Sequence, residues 1–251
     1  MKKIVLLLMS TMALSLAISC NKEDNGPIIE FKDPLVLQAF VESSHDKNGD
    51  GRISQKEADE VTEINFPNLG IRSFDELAYF PNVKRIFLNG NQLTSLDVSN
   101  NMLLEILKCS KNQLTMLDVS NNMFLKNLEC DYNQLTTLDV SNNMFLENFS
   151  CLNNQLTTLN VSNNVALYRL QISDNQLTSI DLSNNTELDV FYCAHNKFTV
   201  LDLSKNKLVG ESPSGVYLYD NPLKKLIISY YGMFPEFLRG YYKDIIEYVY
   251  D

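Results

Sequence analysis

The chain has 251 residues, 45% of them hydrophobic, and a formal net charge of −10 at pH 7. That length suits one elongated body with a small module beside it. An acidic chain repels phosphate, which argues against nucleic acid and bare anionic membrane as direct partners.

Residues 1–19 read as a secretory signal peptide: Lys2 and Lys3, an apolar run from Ile4 to Ile18, then the small Ser19. The run is short for a membrane span and polar chain follows at once. Leu16-Ala17-Ile18-Ser19-Cys20 resembles a lipobox, although Ala17 stands where Leu is commonest. Cys20 is the expected lipidation site, and residues 20–33 the tether behind it; the other reading is an ordinary signal with an incidental cysteine. Asn21-Lys22-Glu23-Asp24-Asn25 is similar to the export signal of some Gram-negative surface lipoproteins, which implies an outer-membrane chain facing outward; the alternative is a plain polar tether. Contact with the membrane is then expected through the lipid alone.

Residues 34–65 form the second informative stretch. Pro34 opens a helix striped by Leu35, Val36, Leu37, Phe40 and Val41. After it, Asp46-Lys47-Asn48-Gly49-Asp50-Gly51-Arg52-Ile53-Ser54-Gln55-Lys56-Glu57 fits the twelve-residue calcium-loop pattern. Asp46, Asn48 and Asp50 offer side-chain oxygens, Arg52 its carbonyl, Ser54 a hydroxyl and Glu57 a carboxylate. Gly51 sits where the loop turns sharply. This stretch resembles the EF-hand family, which implies a Ca²⁺ cofactor held by those six residues, with a structural role and weak affinity of about 10⁻⁴–10⁻³ M. EF-hands usually pair, and no second loop is present in the sequence. The alternative is an acidic turn that binds nothing.

From residue 66 to 230 the chain is repetitive. Asn91 to His195 is five copies of one 21-residue unit. In each, apolar residues two apart mark a short strand, and an Asn marks a corner. One coil cannot bury its apolar side alone, whereas stacked coils share a core. The stretches L-x-x-L-x-C-x-x-N-x-L at 104–114 and 125–135, with Phe at the last place in 188–198, resemble the leucine-rich repeat family in its nested bacterial subclass. The resemblance implies a mainly β fold: a right-handed solenoid with two short parallel strands per coil. It also implies a non-catalytic, internalin-like recognition role. Val83, Ile86 and Leu88 match Leu104, Leu107 and Cys109 one period earlier, so an irregular first coil precedes them, with the calcium module as its cap.

One arm of each unit, Thr-x-Leu-Asp-Val-Ser-Asn-Asn, barely changes. Its ladder Asp97, Asp118, Asp139, Asp181 and Asp202 is expected to bond nearby Ser, Thr or backbone rather than hold cations. The other arm varies. Its columns are Ile106, Asn127, Asn148, Arg169, Val190; Lys108, Glu129, Ser150, Gln171, Tyr192; and Lys111, Tyr132, Asn153, Asp174, His195. Lys108, Glu129, Tyr132, Ser150, Arg169, Gln171 and Tyr192 are the expected ligand-binding residues; drift on a solvent face is the competing explanation. Cys109, Cys130, Cys151 and Cys193 share one inward column with Ile172, so they are expected as buried thiols. With two histidines, His45 and His195, and no catalytic motif, enzyme activity is not expected.

A coil with about four extra residues follows His195, around Gly210–Gly215. Residues 231–251 then form the C-terminal cap, an amphipathic helix running from Pro235 through Tyr248 and Val249. The expected protein is a monomeric surface lipoprotein that binds an extracellular protein or glycoprotein. The alternative is a non-catalytic accessory subunit of an outer-membrane glycan-capture assembly.

Overall fold

Leucine, phenylalanine and isoleucine at every second position give each coil a strand with one buried face. The computed structural model describes residues 26–206, 215–230 and 236–250. The signal peptide, Cys20 and the edge-loop residues 207–214 lie outside the described residues. The strands in chain order are β1 (Glu63–Asn65), β2 (Arg85–Phe87), β3 (Ile106–Lys108), β4 (Asn127–Glu129), β5 (Asn148–Ser150), β6 (Arg169–Gln171), β7 (Val190–Tyr192), β8 (Val200–Asp202), β9 (Val216–Tyr217), β10 (Lys225–Ser229) and β11 (Ile246–Val249). Seven of them, β1 to β7, join β9 in one parallel sheet laid down in sequence order. Its register advances one repeat per strand: Ile86 pairs Leu107, Leu107 pairs Leu128, Leu128 pairs Phe149. Phe191 pairs Val216, so the coil with the insertion rejoins the ladder four residues late. The fold is mainly β, a parallel leucine-rich-repeat solenoid, and the first strand begins at Glu63, inside the stretch that also carries the calcium-loop motif.

The corners explain why the register holds. Each Asn of one column bonds backbone on its own coil and on the coil before. Asn154 donates Nδ2 to the carbonyls of Cys130 (3.1 Å) and Cys151 (3.2 Å) and accepts at Oδ1 from the Leu135 amide (3.0 Å). Asn112, Asn133 and Asn175 repeat the pattern. A buried turn amide is thereby satisfied without a ladder partner. Just before each Asn, the chain passes through a left-handed residue: Lys111, Tyr132, Asn153, Asp174, His195 and Asp220 all have φ between 51° and 57°. The column read from sequence as a variable binding surface is thus also the turn that reverses the chain.

The conserved arm has its own Asn column. Asn143 is fully buried and donates to the carbonyls of Val119 and Asn122, each at 2.9 Å, while its Oδ1 has no partner. Asn122, Asn164 and Asn185 do the same. In this arm the backbone forms regular strands only at the C-terminal end, where β8, β10 and β11 pair in parallel. The acids of this arm accept from the Ser amide two residues on, at 2.9–3.0 Å in Asp97, Asp118, Asp139, Asp181 and Asp202. The local bonding expected for them is what is found. The same serines, through hydroxyl first at Asp97 and Asp181 and through amide first at Asp118 and Asp139, hold these four acids below the usual carboxylate pKa.

Each end of the rod is covered. At the start, α1 (Pro34–Glu42), capped by Asp33, and α2 (Gln55–Glu60) pack against the first coils. Phe40 stacks on Phe80 with centroids 4.7 Å apart and meets Phe66 edge-on at 4.7 Å. At the other end, α3 covers only Glu236–Tyr241, and the chain then becomes β11 rather than continuing as a helix. Ile245, Ile246, Tyr248 and Val249 are β-branched or aromatic, and the edge of β10 offers unpaired backbone groups that a strand satisfies and a helix does not.

Candidate ligand-binding face and calcium loop

The outward side of the eight-stranded sheet carries most of the residues singled out in the sequence. Lys108, Glu129, Gln171 and Tyr192 stand in one half-exposed column, and Arg169 stands in the neighbouring one with Asn127 and Asn148. Lys108 pairs with Glu129 at 2.8 Å. Asn127, Glu129, Asn148, Arg169 and Gln171 line a shallow polar pocket of about 250 Å³. Tyr132 lies off this column, on the left-handed turn, with Lys111 Nζ 5.9 Å from its ring centre.

Ser150 also lines this pocket, and it is less exposed than the rest of its column. It is buried, at 4% exposure, and donates Oγ to Asp131 Oδ1 at 2.5 Å. Asp131 also accepts from the Leu152 amide at 2.8 Å. The small Ser150 side chain thus ties its strand to that acid. Burial pushes the Asp131 carboxyl above its usual pKa, with the bonds from Ser150 and Leu152 opposing and Glu129 adding to the rise. A raised acid contributes stability below the ordinary carboxylate pKa and loses it as pH climbs through the raised value. Asp131→Asn keeps an Oδ1 for both donors and removes the buried charge. Its melting temperature should exceed that of the parent at pH 7, and the gap should close by about pH 3, where the parent acid is itself neutral. Thermal melts across that range check it.

Sequence reasoning missed two features of the surface. Tyr217 and Tyr219 join Tyr192 at the C-terminal end of the same face, the Tyr192 and Tyr217 rings meeting at 4.6 Å and 86°. The insertion before them hid their place in the columns; shifting the register by four residues would have found it. The second feature is an apolar stripe on another edge. Met102, Met123, Met144, Phe124 and Phe145 are all more than half exposed. The recurrence of Met after the Asn-Asn pairs at 100–101, 121–122 and 142–143 was visible in the repeat.

The calcium-loop motif folds as a loop between two helices. Gly51 has φ +80°, the left-handed turn required of that position. Asp46 gathers the amides of Gly49, Asp50 and Gly51 at 2.7–3.1 Å. Glu57 Oε1 accepts from Lys47 at 2.8 Å, and Oε2 accepts from the Ser54 amide and hydroxyl at 2.9 and 2.8 Å. Ser54 and Glu57 thereby also form the capping box of α2. Where a partner loop would pair, the Ile53 carbonyl accepts from the Ile29 amide at 2.9 Å, and the Gln55 amide donates to Pro27 at 2.8 Å. Pro27 to Ile29, inside the stretch 20–33 expected as tether, thus occupy the side of the loop that a second EF-hand would fill. The donor chemistry suits Ca²⁺: hard oxygens on one loop, with the acidic ends held in place by amides. Among the described residues no three His, Cys, Asp or Glu side chains form a metal-binding group, so an ion here would draw on Asn48, Ser54 and the Arg52 carbonyl as well.

Cys109, Cys130, Cys151 and Cys193 are free and fully buried in one column. Burial pushes the Cys109 thiol up to about 12 and raises the other three well above the usual thiol range, so they pack as small apolar groups and are poor nucleophiles at neutral pH. Among the described residues no helix is long and apolar enough to cross a membrane.

No protein-family model and no curated relative matches the sequence. Among solved structures, the functional domain of InlJ from Listeria monocytogenes, described as including a cysteine ladder, is 26% identical with a TM-score of 0.58. The match covers 77% of this chain and 50% of that one, so this chain spans half the length of its neighbour. Internalin C2 from Listeria monocytogenes is 24% identical with a TM-score of 0.59, over 77% of this chain and 86% of that one. The buried cysteine column, the Asn corners and the one-coil register all belong to the same architecture, and the fold is a leucine-rich-repeat solenoid similar to those of the internalins.

Proposed function

We propose that this protein is a non-catalytic recognition rod, held at the cell surface by a lipid on Cys20, that binds an extracellular protein or glycoprotein on the outward side of its eight-stranded sheet. One observation carries the reading. Side chains vary from coil to coil on that side, and most stand half-exposed, while the opposite arm repeats nearly the same residues, with few exceptions such as Asn160 in place of Asp. Rigid backbone with a varied polar and aromatic surface is what a specific interface needs. The internalin-like fold supports a protein ligand. The test is binding to an array of purified extracellular proteins by wild type, by Arg169→Glu/Gln171→Ala, and by Asn121→Ala/Asn142→Ala on the conserved arm. The strand-face variant should lose its targets and the other should keep them; equal loss in both would defeat the reading.

Ca²⁺ is proposed to stabilise the N-terminal cap through Asp46, Asn48, Asp50, Arg52, Ser54 and Glu57. Their order along the loop and the left-handed Gly51 support this. A ligand that binds only the folded form raises its stability, by about 2.7 kcal/mol at a hundred times Kd. The melting temperature of wild type should therefore climb with millimolar Ca²⁺, and that of Glu57→Gln should not. A flat response in wild type would leave Ser54 and Glu57 as helix-capping residues only.

The exposed Met and Phe stripe favours a second reading, as an accessory subunit of a larger outer-membrane assembly. Contiguous exposed apolar surface marks a contact with another chain.

A further inference from the structure

The C-terminal end of the strand face differs in chemistry from its middle. Leu152, Ser173, Asp174, Tyr192, Ala194, His195, Tyr217 and Tyr219 line a pocket of about 310 Å³. Its walls are aromatic and set at right angles. Tyr192 meets Tyr217 at 4.6 Å and 86°, Tyr217 meets Tyr219 at 5.6 Å and 83°, and Tyr219 meets His195 at 6.0 Å and 85°. In each edge-to-face contact the edge of one ring meets one face of the other, so the contact does not cover the second face of either ring. Asp174 lies in the lining, and Asp220, 3.4 Å from His195 Nδ1, lies at the rim. No lysine or arginine is among the lining residues.

We infer that this pocket takes the cationic side chain, lysine or arginine, of an extended segment of the protein partner. The inference rests on the strand face being the partner surface. Three features select the cation. Aromatic faces attract a positive charge by their quadrupole, and carboxylates within reach add to it. The whole chain is acidic, so a basic segment is drawn in and an anionic ligand is turned away. The volume suits one long side chain rather than a run of sugar rings, and the neighbouring polar pocket, lined by Asn127, Asn148, Arg169 and Gln171, can bond the backbone on either side of it.

The test uses the full chain and a series of peptides, acetyl-Gly-Ser-Xaa-Ser-Gly-amide, with Xaa arginine, lysine, citrulline, norleucine or glutamate, followed by NMR titration. The arginine and lysine peptides should bind about tenfold tighter than citrulline and norleucine, their neutral counterparts. Asp174→Asn should weaken that preference several-fold. Tyr217→Leu, and independently the more exposed Tyr219→Leu, should abolish it, while Tyr241→Leu on the cap leaves it intact; circular dichroism confirms that each variant is folded. Equal binding of norleucine, tighter binding of maltohexaose, or no binding by any peptide would overturn the assignment. A partner whose binding depends on Arg169 and Gln171 but shows no preference for a cation would also overturn it, and would leave the strand-face reading standing.

Discussion

Asn154→Ala is expected to lower the stability of the rod by about 2–3 kcal/mol, several times the effect of an ordinary surface change. The side chain satisfies the Leu135 amide and the carbonyls of Cys130 and Cys151, all in the buried core between coils. Removing it orphans the Leu135 amide, at about 1–3 kcal/mol, while the Cys130 and Cys151 carbonyls each lose one of two donors and keep Asn133 and Asn175. Asn143→Ala, in the other column, should cost less, about 1–2 kcal/mol. The Val119 and Asn122 carbonyls keep the Asn122 and Leu125 amides, and the change also removes an Oδ1 that is already buried without a partner. Urea denaturation of the two variants side by side measures the difference, and a larger loss in Asn143→Ala would reverse the assignment of which column carries the register.

Phe40→Ala should cost about 3–5 kcal/mol, the range for emptying a large buried aromatic site. Phe40 is fully buried and touches Phe80, Phe66 and Phe74, so it joins the helical cap to the first coils of the solenoid. The loss should be local. In a stacked-repeat protein each unit rests on its neighbours alone, so hydrogen-exchange protection should fall over residues 26–90 and persist from the Asn112 coil onward. Loss of protection along the whole rod would mean that the cap nucleates everything after it.

The regular part of this fold was legible because the repeat acts as its own alignment. With a fixed period, the inward position of Leu107, Leu128 and Phe149, the burial of the cysteines and the corner role of Asn112 all follow from one coil, since neighbouring coils must match in register. Reasoning from the repeat was weakest where that condition breaks. Ser150 shares a column with exposed residues, yet its size and a neighbouring acid on the next column draw it inward. Tyr217 and Tyr219 follow an insertion, so the period no longer points to them. Residues 245–249 carry an apolar pattern that a helix and an edge strand read equally well, and only the open edge of β10 decides between them. The calcium-loop motif was legible as chemistry, but the pairing of Ile53 with Ile29 was not, because nothing in Pro27-Ile28-Ile29 marks it as a partner for the loop.

The most direct measurement places a photo-crosslinking benzoylphenylalanine at Gln171 on the strand face, at Asn121 on the conserved arm, or at Met144 on the apolar stripe, and exposes each chain to an array-selected extracellular protein. The expected result is a discrete adduct from Gln171 and none from Asn121 or Met144. Adducts of equal yield at all three positions, or an adduct from Met144 alone, would contradict a recognition rod that binds through its strand face.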